Sequence, residues 1–180
     1  MAVAGDAKVG DGLAKIVHLS SVHPPFDTRI FHKEAKTLAR AGYEVVFVVP
    51  HEEAVTSDGV RMHPIRKRRG RLARMIWTVR DDFRAAVEED GDIYFFHDPE
   101  LIPVGLLLKL RGKRVIYDVH EDRPRQMLTK YWIPPRLRRV VSRLTHLVEA
   151  ASGRVWDGIV VATPPIARLF PGRKTVIVQN

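Results

Sequence analysis

Polar side chains follow three apolar runs of this sequence, at the points where the runs end. Residues 20–29 follow the first run, residues 97–100 follow Ile-Tyr-Phe-Phe, and residues 118–123 follow the next run. Ligands of open α/β sheets bind outside the carboxyl ends of the strands, and parallel strands bring these ends to one edge. We therefore expect the three loops to converge on one polar site.

Histidines and carboxylates recur in two of these loops. His97 and Asp98 form one group, and Asp118, His120, Glu121 and Asp122 form the other. A histidine held at the end of a buried strand beside a carboxylate can make polar contacts or transfer protons near neutral pH. A lone histidine is more often structural, but recurrence in converging loops favours function. A divalent metal is the rival explanation, and because neither loop has a recognised ligand spacing we predict no metal site.

The first loop lacks a Gly-x-Gly-x-x-Gly sequence, which argues against a dinucleotide pyrophosphate on its backbone. Asp27 is predicted to cap the following helix, with Arg29 reaching outward. A helix start beside an arginine suits a phosphate or a sugar hydroxyl. His32 lies one turn into this helix, either facing the loop or as an ordinary partly buried histidine.

Strands alternate with helices along the chain. The predicted strands cover residues 15–20, 45–49, 60–65, 93–96, 114–117, 158–162 and 175–178, and helical spacing of apolar residues covers 30–39, 72–87, 101–110 and 137–151. Strands that are apolar throughout are typical of a parallel sheet covered on both faces. We predict the α/β class: a single Rossmann-like domain over residues 15–180, with a mostly parallel sheet, helices on both faces and a flexible lead-in over residues 1–14.

Composition narrows the classes of partner. The chain has 180 residues, 45% hydrophobic and 28% charged, which favours one globular domain. The absence of cysteine excludes disulfides and thiolate sites. A formal charge of +9 favours nucleic acid, an anionic membrane or a phosphate-bearing substrate as partner, unless the basic helical faces serve solubility alone.

Four stretches together resemble glycosyltransferase family 4. They are residues 23–35, the Ala-Gly-Tyr-Glu-Val stretch over residues 41–45, His-Asp-Pro-Glu-Leu over residues 97–101, and Tyr-Asp-Val-His-Glu-Asp over residues 117–122. The resemblance implies a retaining enzyme of the GT-B fold that usually needs no metal. This chain would be its N-terminal, acceptor-binding half, and a second half would bind a UDP- or GDP-linked sugar.

The resemblance also implies roles for single residues. His97 would lie against the transferred sugar, with Asp98 as its neighbour, and these two are the predicted catalytic residues. The loop of residues 118–122 would line the acceptor cleft. Ser21, His23 and Arg29 would face the nucleotide diphosphate. The first loop lacks the paired glycines of the family, which argues against diphosphate contact through backbone amides.

The donor half of the family carries two glutamates separated by seven residues. Here only Glu44 and Glu52 have that spacing, and because they straddle a predicted strand we regard the pair as coincidence. We therefore expect a donor-binding domain in cis or on a partner chain, and no activity from this chain alone. The nucleotide sugar is the expected co-substrate, and no other cofactor is predicted.

Many members of the family act on glycan or lipid-linked acceptors, including cell-envelope polysaccharides, at the inner face of the cell membrane. The resemblance thus implies a cytoplasmic, peripheral location on an anionic surface. The predicted membrane-surface residues are Arg68, Arg69, Arg71, Arg74, Trp77, Arg136, Arg138 and Arg139. The alternative is a non-catalytic α/β module, either a regulatory subunit or a basic nucleic-acid binder, although the chain has no recognised nucleic-acid motif.

Overall fold

A computed structural model describes residues 8–9, 12–68, 70 and 74–179. It divides into two compact units, Met1–Val115 and Ile116–Asn180. The strands are β1 Lys8–Val9, β2 Gly12–Leu13, β3 Lys15–Leu19, β4 Glu44–Pro50, β5 Val55–Ser57, β6 Val60–Ile65, β7 Ile93–Phe96, β8 Arg114–Val119, β9 Gly158–Val161 and β10 Thr175–Ile177. The α-helices are α1 Lys36–Arg40, α2 Val79–Glu89, α3 Ile102–Leu110, α4 Arg123–Met127, α5 Pro135–Ser152 and α6 Pro164–Ala167.

The first unit holds a sheet in the order β7, β3, β4, β6, β5. All neighbours are parallel except β5, which runs antiparallel to β6. In the register of β3 and β7, Leu19 lies opposite Phe96, so the two strands end together. This register brings the loop after β3 beside the loop after β7.

Strand β4 forms the centre of the core of this unit, because Val45 to Val49 are buried throughout. Alternate side chains of β4 pack with Ile30, Phe31 and Ala35 from the helix that precedes and continues into α1. Residues 46 and 48 point to the opposite face of the sheet, and α2 packs against β3, β4 and β6. The predicted whole-length burial of a central parallel strand is confirmed.

In the second unit β8, β9 and β10 are also parallel, in that order. The α/β, Rossmann-like, mostly parallel fold class is therefore confirmed. Four elements were not predicted: β1 and β2 in the lead-in, β5, whose three residues are too few to show a period, and α4, which begins with Arg-Pro. Residues 8–9 and 12–13 of the lead-in pair as short antiparallel strands, and residues 1–7 and 10–11 lie outside the described residues.

Two segments, one before α1 and one before α2, form π-helix, whose turns are wider than those of an α-helix. Thr28–Ala35 is π-helical and continues into α1, and Arg74–Thr78 is π-helical and continues into α2. Among the described residues, no helix has the length and apolar character needed to cross a bilayer.

Glu89, at the end of α2, joins three basic side chains of the first unit. Its carboxylate accepts bonds of 2.9 and 2.6 Å from Arg61 and lies 2.6 Å from His63 Nδ1 and 3.0 Å from Lys15 Nζ. Hydrogen bonding from Arg61 is the main reason that the pKa of Glu89 falls to about 2.

We expect Glu89→Gln to lower the free energy of unfolding by about 2 kcal/mol at pH 7, because it leaves several cations without their counter-charge. The stabilisation is present above the ordinary pKa of 4.5 and is lost as pH falls toward 2. Urea denaturation at pH 7 and pH 3 measures it. Glu88→Gln is the matched control, since this carboxylate is exposed and 3.9 Å from His63 Nε2. Equal stability of the two variants would contradict the prediction.

Candidate active site

Asp98 ties the loop after β3 to the loop after β7. Its Oδ2 accepts hydrogen bonds from Ser20 Oγ (2.9 Å) and from the backbone N–H of Ser21 (2.8 Å), and its Oδ1 lies 3.5 Å from His23 Nε2. A second link runs from Ser21 Oγ to Glu100, at 2.9 Å. The two loops therefore form one polar unit, as the sequence predicts.

The buried Asp98 is ionised. Burial alone would raise its pKa, but the hydrogen bond and charge of His23, with donation from Ser21 and Ser20, outweigh burial and hold the pKa at about 2. Burial likewise opposes protonation of His23, and Asp98 with Asp27 outweighs it, so the pKa of His23 is raised above 6.5. His23 thus carries more positive charge near neutral pH than an ordinary histidine.

A cavity of about 250 Å³ opens beside this loop. Its lining consists of the loop itself, the end of β4 and two basic residues: Ser21, Val22, His23, Pro24, Pro25, Pro50, Lys67 and Arg68. Arg68 also binds Asp81, at 2.8 Å, whereas Lys67 is exposed. Hydroxyl, imidazole and cationic groups around one cavity can bind a polar ligand with hydroxyl or acidic groups.

His97 directly follows β7 and precedes Asp98. It is buried, and its Nε2 is 3.0 Å from Nδ1 of His18, with the two rings stacked 5.3 Å apart. His18 is also stacked on Phe95, at 4.8 Å. Stacking on His18, which is itself stacked on Phe95, thus fixes the plane of the His97 ring. The contact with His18 Nδ1 fixes the position of His97 Nε2.

The helix after the first loop contributes a buried ion pair to this region. The prediction that Asp27 caps it is confirmed, because Oδ1 accepts from the N–H groups of Arg29 and Ile30 at 2.9 Å. Arg29 itself points inward, not outward as predicted, because its Nε binds Glu34 at 3.1 Å in a buried site. His32 is exposed.

Ligand atoms of His18, Glu34 and His97 lie within 4.8 Å of one another. Two imidazoles and a carboxylate are a donor set that binds divalent cations. The Arg29 guanidinium, however, already supplies positive charge to Glu34. We assign no cation to this cluster, and the absence of a metal site stays a prediction.

Asp82, on α2, is a second fully buried carboxyl group of the first unit. Among the described residues neither of its oxygens has a hydrogen-bond partner, and the same is true of the buried Thr78 hydroxyl one turn earlier. Burial, followed by the negative charge of Asp98, raises the pKa of Asp82 well above its usual value. Asp82 therefore keeps its proton to a higher pH than Asp98 does.

The predicted loop of residues 118–123 belongs to the second unit. Asp118 is buried and its Oδ2 lies 3.6 Å from His120 Nδ1. Glu121 binds Arg123 at 3.1 Å, and Asp122 caps α4 through the N–H of Arg125. The convergence of this loop with the other two stays a prediction.

A buried carboxyl group of α5 lies beneath this loop. Glu149 accepts a 3.3 Å hydrogen bond from the Tyr117 hydroxyl. Burial raises the pKa of Glu149 to about 7, against the opposing effects of Tyr117 and Arg123.

We expect the second unit to lose stability as pH rises from 4.5 to about 7, because in this range the unfolded chain ionises Glu149 and the folded chain resists ionisation. Glu149→Gln should remove this dependence and stabilise the chain by roughly 2 kcal/mol at pH 8, with little effect at pH 4. Thermal unfolding between pH 4 and pH 8 measures both. A variant that is less stable than the parent at pH 8 would contradict the prediction.

The predicted membrane-surface residues have different environments. Arg136 and Arg139 are exposed, and Arg138 donates to the carbonyl of Ile133 at 2.9 Å. Trp77 is half exposed, beside Arg80. Arg68 binds Asp81 as described above. Arg69, Arg71 and the side chain of Arg74 lie outside the described residues.

Several residues of the site were not predicted. His18 lies within the first predicted strand and Ser20 at its end, and a histidine inside a mainly apolar strand was the available signal. Glu34 and Asp82 lie on helices whose carboxylates look solvent-exposed in a one-dimensional pattern. Only the register of β3 against β7 places His18 beside His97 and Ser20 beside Asp98.

Residues 28–177 match the family model described as "Glycosyl transferase 4-like domain". No curated protein sequence matches the chain.

Solved structures share the fold at low sequence identity. The sucrose-phosphate synthase of Thermosynechococcus elongatus superposes with a TM-score of 0.65 at 14% identity, over 92% of this chain and 48% of that one. A protein of Listeria monocytogenes described as a UDP-N-acetylglucosamine 2-epimerase gives 0.53 at 14%, over 91% and 44%. This chain therefore spans about half the length of each.

Proposed function

The chain belongs to the family of glycosyl transferase 4-like domains, and from that premise we propose that it is the acceptor-binding half of a retaining, two-domain glycosyltransferase. The observation that carries the proposal is the loop after β3, fixed to Asp98 and bordering a cavity with polar and basic walls. The acceptor would be a glycan or a lipid-linked sugar, and the donor a nucleotide-diphosphate sugar.

In this proposal Asp98 acts through the loop after β3, and His97 acts on the sugar directly. Asp98 holds Ser20, Ser21 and His23 in place, so that Ser21 and His23 can contact a ligand in the cavity. His97 is the side chain that approaches the transferred sugar, with His18 orienting its ring. The raised pKa of His23 supports contact with a hydroxyl or a phosphate oxygen of the ligand.

Arg29, His32 and the loop of residues 118–122 have less direct roles in the proposed site. Arg29 stabilises the start of the helix through Glu34. Asp118, His120, Glu121 and Asp122 would contact the acceptor, as the family resemblance implies. We propose that the donor binds mainly to a further domain, in cis or on a partner chain, and that this chain alone is inactive.

The isolated chain can test the acceptor assignment. We expect short glycans of cell-envelope type to shift the amide signals of His120 and Glu121 in heteronuclear NMR spectra, and UDP or GDP alone to shift them far less. His146→Ala, a half-buried position outside the cavity, is a control that should leave the titration unchanged. Shifts confined to other surfaces would place the acceptor elsewhere.

We also propose that the protein works in the cytoplasm at an anionic membrane surface. The exposed Arg136 and Arg139, with the half-exposed Trp77, support this location. Each basic side chain near such a surface contributes about 1 kcal/mol, screened by salt. The protein should pellet with anionic vesicles at low salt and less at high salt, and equal pelleting with neutral vesicles would contradict the proposal.

A further inference from the structure

Helix α5 presents its apolar side chains outward. Leu137, Val140, Leu144, Leu147 and Val148, here called the α5 stripe, are each between 52% and 61% exposed. At 100° per residue they lie within an arc of roughly 100°, so they form one continuous strip along the helix.

The polar face of α5 points inward instead. Ser142 donates to the carbonyl of Pro124 at 2.7 Å, and Glu149 and Ser152 are buried. Contacts with α4 hold the helix against its own unit. This inverts the usual arrangement of a surface helix, whose apolar face is buried. A contiguous exposed apolar strip marks a surface that is covered by something else.

The charges beside the stripe are all positive. Arg136, Arg139 and Arg143 are exposed and follow one another at spacings of three and four, along one edge of the stripe. The single acidic residue of α5, Glu149, is buried. Two copies of α5 packed together would place arginines near arginines, which is unfavourable. An anionic bilayer satisfies both features, since it offers negative headgroups above an apolar interior.

Aromatic residues stand at the start of the helix. Tyr131 is 88% exposed and Trp132 is 45% exposed, immediately before Pro134 and α5. Rings with an apolar body and a polar tip favour the boundary between headgroups and acyl chains. Helix α5, about 27 Å long at 1.5 Å per residue, can therefore lie flat in that boundary along its whole length.

We propose that the α5 stripe inserts into the headgroup boundary of an anionic lipid bilayer, with Arg136, Arg139 and Arg143 on lipid phosphates. This deepens, and rests on, the membrane location proposed above, by naming the element that enters the lipid.

The test compares the parent chain with one double variant and one single variant. Binding is measured to vesicles of phosphatidylcholine with and without phosphatidylglycerol. We expect the parent to bind the anionic vesicles at least tenfold more strongly than the neutral ones. Leu144→Gln with Leu147→Gln should lower that binding at least tenfold, whereas Leu110→Gln, at an 84% exposed position outside α5, should change it less than twofold. Circular dichroism checks that each variant is folded.

Insertion into the lipid can be measured separately from binding. Because the chain has no cysteine, a single introduced cysteine can be labelled specifically. A bimane label on Leu144→Cys should shift to the blue and be quenched by spin-labelled lipid, and a label on Glu53→Cys, at an exposed position of the first unit, should not. If the double leucine variant binds like the parent and the Leu144 label stays in water, the stripe inference is overturned while the membrane location stands. If the parent does not bind anionic vesicles, both fail. A dimer that the double leucine variant abolishes would instead make the stripe a contact between copies and overturn the inference.

Discussion

Asp98→Asn is expected to lower the free energy of unfolding by about 3 kcal/mol and to reduce sugar transfer at least 100-fold once a donor-binding domain is present. The carboxylate is buried, accepts hydrogen bonds from Ser20 and Ser21, and faces His23. Asparagine would lose the charge and replace one of the two acceptor oxygens with an N–H donor, which would face either the serine donors or His23. Urea denaturation and a transfer assay measure the two effects.

The sign of the pH dependence follows from the depressed pKa of Asp98. Its contribution is complete above the ordinary value of 3.8 and is lost as pH falls toward about 2. The parent chain should therefore lose stability in this range and the variant should lose less.

Asp82→Asn is the matched control, because it changes the same residue type at an equally buried position of the same unit. Here burial and the charge of Asp98 raise the pKa of the carboxyl group, so the uncharged amide should be tolerated. We expect no loss of stability at pH 5 and a gain of about 1 kcal/mol at pH 8. Equal losses in the two variants would show that Asp98 is an ordinary buried carboxyl group and not the anchor of the loop.

His97→Gln is expected to reduce transfer by the assembled enzyme 100-fold or more, with a smaller effect on stability. Glutamine keeps a hydrogen-bonding group near His18 but loses the stacked imidazole that the proposal places against the transferred sugar. Initial rates at saturating donor and acceptor measure the effect on kcat. Melting temperature serves as the control for folding.

His146→Ala provides the comparison for a histidine outside the site, and it should leave the rate within a factor of two. A His97→Gln enzyme that keeps the parental kcat would remove His97 from the reaction. It would leave only the structural role that its contact with His18 already gives it.

The sequence predicted the elements of the site better than its contacts. Strand β7 follows directly from a short apolar run bounded by polar residues, and its bounds, like those of β6, agree with the prediction. The link between Ser21 and Asp98 spans 77 positions and depends on the register of β3 against β7, which no local pattern encodes. The inward turn of Arg29 likewise depends on the π-helical turns that place Glu34 beside it.

The apolar spacing of α5 was sufficient to predict a helix but not the direction of its faces. Periodicity specifies which side chains lie on the same face of a helix. Which face is buried depends on the residues of other elements that each face contacts. Here Ser142 and Glu149 find partners in Pro124 and Tyr117, so the polar side is buried and the stripe is exposed.

Sugar transfer tests the central claim most directly. It should be measured with this chain of 180 residues alone and with the same chain supplied with a donor-binding domain, in cis or as a second polypeptide. UDP- and GDP-linked sugars would be paired with glycan and lipid-linked acceptors, and proton NMR would give the anomeric configuration of the product. We predict no transfer by the chain alone, and transfer with retained configuration when the donor domain is present. Transfer by the chain alone, inverted products, or no transfer by the assembled protein with any of these donors would contradict the account.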